Sequence, residues 1–280
     1  MSKDLSSHST SKHYSKSAVS MKIREIIAPI EEFAPLSLQE SYDNSGLVVG
    51  RLDDELEGGV LLAVDVTEEV IEEAIERGCG LIITHHPIIF HPLKRLNSSS
   101  VVERCVEMAI RHNIALYACH TNLDSTKNGM SWRVGEMLGL QNMEVLQPTV
   151  EGAGFGVVGT PPEPVAEVEF LKQVKQTFSV EALRHRALLG REVKRVAICT
   201  GAGASLMREA RAVGCDVYLT ADLKYNDFYT PDSQFVVVDM GHFESEFCVI
   251  AILFDILSKI FINFALHKSA QSKNPVHYSV

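Results

Sequence analysis

The stretch from Leu61 to Pro87, LLAVDVTEEVIEEAIERGCGLIITHHP, decides the fold. Leu61-Leu62-Ala63-Val64-Asp65 is an apolar run closed by a carboxylate and reads as a buried strand. Thr67 stands where a hydroxyl caps a helix, which runs from Glu68 to Arg77 and ends at Gly78. Leu81 to Thr84 is a second buried strand, and it delivers His85 and His86 just before Pro87. A strand, a helix and a strand in so short a span predict side-by-side parallel strands joined by a crossover helix.

The same alternation continues outward. A helix is expected near residues 22 to 33, followed by the turn-like Tyr42-Asp43-Asn44-Ser45-Gly46. A second helix covers Val101 to Arg111, and the strand Ile114 to Cys119 delivers His120-Thr121-Asn122-Leu123-Asp124. The middle is weaker in pattern, with a glycine-rich segment near 152 to 159, the turn Pro161-Pro162-Glu163-Pro164 and a helix from about Glu167 to Phe178. Alternation then resumes with the strand Val196 to Cys199, the turn Gly201-Ala202-Gly203, and a helix from Ser205 to Val213 closed by Gly214. Short strands follow at Asp216 to Leu219 and Phe235 to Val238, and a helix runs from His242 to about Ile262. The fold class is therefore α/β, with a largely parallel sheet covered by helices on both faces. Ligands in such folds bind beyond the carboxyl ends of the strands, where His85, His86, His120, Asp124 and His242 all fall.

A chain of 280 residues can form one large domain or two smaller lobes. Its formal net charge of -10, from 36 acidic and 26 basic residues, argues against a broad basic surface for nucleic acid. The six cysteines form no C-x-x-C pair and lie mostly in apolar segments, as expected of buried, reduced thiols in a cytoplasmic protein. Residues 1–20, rich in Ser, Lys and His, read as a disordered leader without the apolar core of a secretory signal, and the folded unit is expected over 21–280. The apolar run Phe247 to Phe254 is too short to span a bilayer.

Each candidate ligand also has an ordinary structural reading. Adjacent strand residues point to opposite faces, so His85 and His86 converge only if the backbone curls at the strand end. His242 and Glu246 share a helix face, a spacing equally common on solvated helices. Asp124, four residues after His120, could cap a helix or make an Asx turn. Together, three imidazoles and two carboxylates exceed the usual protein complement of one catalytic zinc and suit a dinuclear site. Nitrogen and oxygen ligation is compatible with zinc, iron, manganese or nickel. The turn Gly201 to Ser205 is either a phosphate contact or a tight structural turn, and the run Asp222 to Tyr229 is either core aromatics or a rim of the metal pocket.

At these residues the chain resembles the Nif-three-like dinuclear-metal family, also called GTP cyclohydrolase 1 type 2 homologues. The resemblance runs from about Met21 to Tyr278. It rests on Tyr42-Asp43-Asn44-Ser45-Gly46-Leu47, Thr84-His85-His86-Pro87, His120-Thr121-Asn122-Leu123-Asp124, Leu219-Thr220-Ala221-Asp222-Leu223-Lys224-Tyr225, Gly241-His242-Phe243-Glu244-Ser245-Glu246 and the closing Asn274-Pro275-Val276-His277-Tyr278. It implies metal ligands at His85, His86, Asp124, His242 and Glu246, with His120 a further ligand, an orienting partner or a proton carrier. It also implies two divalent transition-metal ions per chain, a two-lobed fold with mixed, largely parallel sheets and the site in the cleft, and a toroidal homohexamer. The span between Thr149 and Lys194 leaves no room for the domain that some members insert there. Ala221, Asn226 and Thr200 depart from the glycine, histidine and glycine usual at those positions.

The function expected from this resemblance is that of a metal-dependent hydrolase acting on a small molecule of nucleotide type, with water acidified by the ions attacking C8 of a purine ring. The alternative is a metal-binding regulatory, chaperone or scaffold protein without turnover.

Overall fold

The computed structural model describes residues 21–279 apart from 151, 230, 231 and 263, so the leader expected at 1–20 lies outside the described residues. The deciding stretch folds as read. Strands Gly59–Leu62 and Cys79–Thr84 are wholly buried and lie parallel, with Leu61 opposite Ile82. Between them, the Val70 amide donates to Thr67 Oγ1 at 3.2 Å, capping the helix Glu68–Glu76.

Ala115–Ala118 lies parallel to Cys79–Thr84, and Gly46–Val49 closes that side antiparallel. Leu266–Lys268, from the end of the chain, adds in parallel beside Gly59–Leu62 to complete five strands. The helix Ile23–Phe33 packs against the helix Val249–Ile260 and buries Ile23, Ile26, Ile27 and Ile30, one stripe at helical spacing.

The second sheet has six strands. Its centre, Val196–Ala202, Val217–Ala221 and Val236–Asp239, is parallel. Its margins are not: the hairpin Gln141–Val150 and Ala153–Thr160 is antiparallel on one side, and Arg184–His185 pairs antiparallel on the other. Both sheets are thus mixed as expected; the largely parallel arrangement holds for the first, where only Gly46–Val49 is antiparallel, while in the second parallel pairing is confined to the three central strands. The hairpin escaped sequence reading because its outer strand buries only Leu146. Its inner strand also carries glycines where neighbouring backbone comes close; a Cβ on Gly154 would lie 2.2 Å from the Gln147 carbonyl oxygen.

A further correction concerns the helix expected from His242 to Ile262. It is two helices, His242–Glu246 and Val249–Ile260. Ser245 Oγ donates back to the His242 carbonyl at 2.8 Å, a bond that bends helices.

One cluster of buried side chains includes Leu62, Ile83 and Tyr117 from the first sheet and Ile198, Leu219 and Val238 from the second. The fold is α/β with mixed sheets, and its two main sheets share this core. All six cysteines are free and buried. Among the described residues, no helix is long and apolar enough to cross a membrane.

Candidate metal centre

The carboxyl ends of strands from both sheets meet at one place. Cys79–Thr84 and Ala115–Ala118 lead into His85, His86, His120 and Asp124, while Val217–Ala221 and Val236–Asp239 lead into Asp222, His242 and Glu246. The backbone does curl at the histidine pair, for the amides of His85 and His86 both donate to the Val64 carbonyl at 3.1 Å. Thr84 Oγ1 fixes the bend by donating to the His86 carbonyl at 2.9 Å. The two imidazole centroids consequently lie 4.9 Å apart.

Among the described residues, three overlapping groups could hold a metal ion: His86 with His242 and Glu246, His85 with Asp124 and Glu246, and His85 with His86 and His120. Within each group the candidate ligand atoms lie within 4.8 Å of one another. Glu246 belongs to two of them. Its Oε2 stands 3.0 Å from Nε2 of both His86 and His242, and its Oε1 3.6 Å from His85 Nε2, which is itself 3.7 Å from Asp124 Oδ1. The structure thus brings together all six residues singled out in the sequence.

Each imidazole is oriented by a bond at its other nitrogen. Nδ1 of His86 faces Asp65 Oδ1 at 2.7 Å, that of His242 faces Asp222 Oδ2 at 2.8 Å, and that of His120 faces Asp43 Oδ1 at 2.7 Å. His85 Nδ1 is 2.8 Å from the Cys119 carbonyl. Since carboxylates and carbonyls only accept, these contacts place the proton on Nδ1 and turn the Nε2 lone pairs inward. The roles of Asp65, Asp222 and Asp43 were not assigned from the sequence. The available signal was their position beside strand ends at the same edge as the histidines.

Lone pairs facing carboxylate oxygens need a cation or a proton between them. Buried atoms lacking a hydrogen-bond partner include His85 Nε2, Asp124 Oδ1 and Glu246 Oε2. Electrostatics records the same demand. Burial opposes charge on His86, yet Asp65 and Glu246 raise its pKa to about 10. Burial is likewise outweighed at His242, where Glu246 and Asp222 raise the pKa to about 9. His85 also shifts upward, since Glu246 and Asp124 overcome its complete burial. Burial pushes the Asp124 carboxyl up, whereas the surrounding imidazoles hold Glu246 well below the usual carboxylate range despite burial. A cation in this place would replace those protons, so the nitrogen and oxygen donors fit a divalent transition metal.

Gly201 makes room for the shared carboxylate. A Cβ there would lie 2.3 Å from Glu246 Oε1, and its φ of +62° favours glycine independently. The amides of Gly201 and Gly203 are already taken, donating to Ser245 Oγ and Thr220 Oγ1 at 2.9 Å each, so neither glycine amide is left to meet a phosphate. The run from Asp222 to Tyr229 divides between its two readings: Phe228 packs on a core cluster, while Tyr225 and Tyr229 are exposed and Asp222 orients His242.

Known proteins are similar to this chain in fold and in sequence. A Clostridium acetobutylicum protein named GTP cyclohydrolase 1 type 2 homolog is 33% identical over 241 residues, covering 84% of this chain and 89% of that protein. A Streptococcus pneumoniae protein of the same name is 36% identical over 228 residues, covering 80% and 85%. The crystal structure of a Bacillus cereus protein related to NIF3 superposes with a TM-score of 0.88 at 25% identity, covering 93% of this chain and 99% of that one. Reduced HcgD from Methanocaldococcus jannaschii superposes with a TM-score of 0.73 at 30% identity, covering 89% and 97%. The family model Duf34/NIF3 (NGG1p interacting factor 3) matches residues 21–275, and the chain belongs to that family.

Proposed function

We propose that this protein is a hydrolase dependent on two divalent transition-metal ions per chain, acting on a small molecule of nucleotide type as the name of its relatives suggests. The observation that carries the reading is the sharing of Glu246 between the His86–His242 group and the His85–Asp124 group. One ion would be held by His86, His242 and Glu246, the other by His85, Asp124 and Glu246. Zinc, iron, manganese and nickel all suit these donors. When bound, such ions supply Lewis acidity that acidifies water and polarises an electrophilic substrate.

The chain's own residues supply positioning and proton transfer. Asp65, Asp222 and the Cys119 carbonyl hold three imidazoles in fixed tautomers. His120 has the role of proton carrier. Asp43 accepts at its Nδ1, leaving Nε2 to take a proton from water and return it to a leaving group. Asp43 is itself fixed by the Thr121 amide and Ser45 Oγ, so the imidazole cannot turn freely.

In this reading each main sheet with its helices is one lobe and the site occupies the cleft between them. Assembly into a toroidal homohexamer and a cytoplasmic location complete it; six free, buried thiols favour a reducing compartment. The test is elemental analysis of protein purified without chelator, together with turnover of GTP and a panel of nucleotides and phosphoesters by zinc, manganese and iron forms. Two ions per chain and turnover lost in His85→Ala and Glu246→Ala are expected. A single ion after reloading defeats the dinuclear assignment, and two ions without turnover of any substrate leave the regulatory or scaffold function instead.

A further inference from the structure

The short helix His242–Glu246 presents two different faces. His242 and Glu246, four apart, belong to the candidate metal groups, while Phe243 and Phe247, also four apart, pack with ring centroids 5.3 Å apart and a tilt of 38°. Phe243 and Phe247 line a cavity of about 750 Å³, joined there by Phe178, Ile250 and Tyr278, with Arg133, Glu181 and Lys268 among its charged lining residues. That is the size of a small-molecule site rather than of a packing defect. A second cavity, of about 360 Å³, reaches His86 and His242 with their partners Asp65 and Asp222.

The two cavities meet along a common wall of Phe243, Glu244, Asn274, Val276 and Tyr278. Most of this wall is the end of the chain, laid against the helix by a bond from Asn274 Nδ2 to Glu244 Oε1 of 3.0 Å. The C-terminal segment therefore lies between the aromatic-lined chamber and the cavity that reaches His86 and His242.

We propose that the aromatic chamber binds the planar, apolar part of a small organic ligand whose oxygen-bearing head reaches the His86 and His242 side. The chamber supplies the stacking surfaces and the metal side supplies the polar recognition, the division of labour of small-molecule sites. The ligand class is a planar aromatic molecule bearing an acidic head, the general form that a nucleotide-type substrate also has. The reach of the head to the metals rests on the metal reading above; occupancy of the chamber does not.

Fluorine NMR titration with a fluoronaphthoate, a planar ring bearing one carboxylate, tests both parts. Chelator-stripped protein is expected to bind one probe per chain saturably. Ala251→Trp, which fills the chamber from the helix Val249–Ile260, and Val276→Trp, which narrows it from the exposed C-terminal segment, should each weaken binding by about tenfold or more. Val276 is 56% exposed, so its substitution leaves the core intact should Ala251→Trp fail to fold. Absence of saturable binding, or binding indifferent to Val276→Trp, overturns the chamber as a ligand site. With manganese loaded, the bound probe's fluorine signal should broaden relative to the zinc form. Manganese bound without broadening overturns the shared-ligand arrangement, whereas failure of manganese to bind counts against the metal reading and leaves the chamber to be judged by the titration.

Discussion

Glu246 and His86 face each other across the junction of the two sheets, Oε2 to Nε2 at 3.0 Å, while the far nitrogen of the same imidazole is held by Asp65 at 2.7 Å. A carboxylate opposite a lone pair is stable only with positive charge between them, and removing either side should be visible in metal content. Glu246→Gln keeps the shape and loses the anion shared by two groups. Its metal content, measured by elemental analysis after dialysis, should fall below that of any other single-ligand variant; full retention of two ions would show that Glu246 is not shared.

Asp65 and Asp222 act through the imidazoles they orient. Asp65→Asn and Asp222→Asn should each weaken zinc binding by about 10–100-fold, read by competition with a chromophoric chelator. Thermal stability should change little, because Asp222 is exposed and Asp65 only half-buried. Unchanged zinc affinity in both variants would mean that the imidazoles are positioned by packing alone.

Gly201→Ala adds one methyl directly against Glu246 Oε1, at a backbone conformation unfavourable to any L side chain. The conformational penalty alone is about 1 kcal/mol or more. The expected result is a modest fall in melting temperature with a disproportionate loss of metal, since the displaced group is the shared carboxylate. Wild-type metal content would show that Glu246 can move aside freely.

His120→Gln tests the proton carrier. Metal content should stay near wild type while kcat falls by about 100-fold or more on whichever substrate is turned over. Asp43→Asn should reproduce part of the loss by freeing the ring. Loss of metal in His120→Gln would instead make His120 a ligand.

The pH dependence of the C-terminal segment follows from Glu73. Burial opposes its charge, but Ser269 Oγ and the amides of Ala270 and Gln271 donate to it and Arg77 lies beside it, lowering its pKa from the usual 4.5. A depressed carboxylate contributes stability that is complete above its unfolded value and is lost as pH falls through the lower folded value. Protection of residues 269–272 against hydrogen exchange, corrected for the intrinsic pH dependence of amide exchange, should therefore fall below pH about 4.5. In Glu73→Gln this acid step should vanish, with faster exchange already at neutral pH; a step of equal size in the variant would assign it to another carboxylate.

The sequence by itself determined which elements form and which residues end the strands. Apolar runs, Thr67 as a cap and the spacing of His242 from Glu246 are local properties, and burial of the backbone in strands and helices follows from them. It also determined the family, through motifs that survive in order along the chain. Tertiary structure alone decided that two sheets aim their carboxyl ends at one another, placing Glu246 against His86 from 160 residues away. It paired Asp43 with His120 across 77 residues and Asp65 with His86 across 21, choices that no periodicity encodes. It likewise turned a glycine-rich stretch into a hairpin, because glycine reports the closeness of a neighbouring strand only once that strand is in place. Local pattern fixes what each segment buries, but which polar groups meet is set by how the buried faces pack, and the candidate centre is made of such meetings.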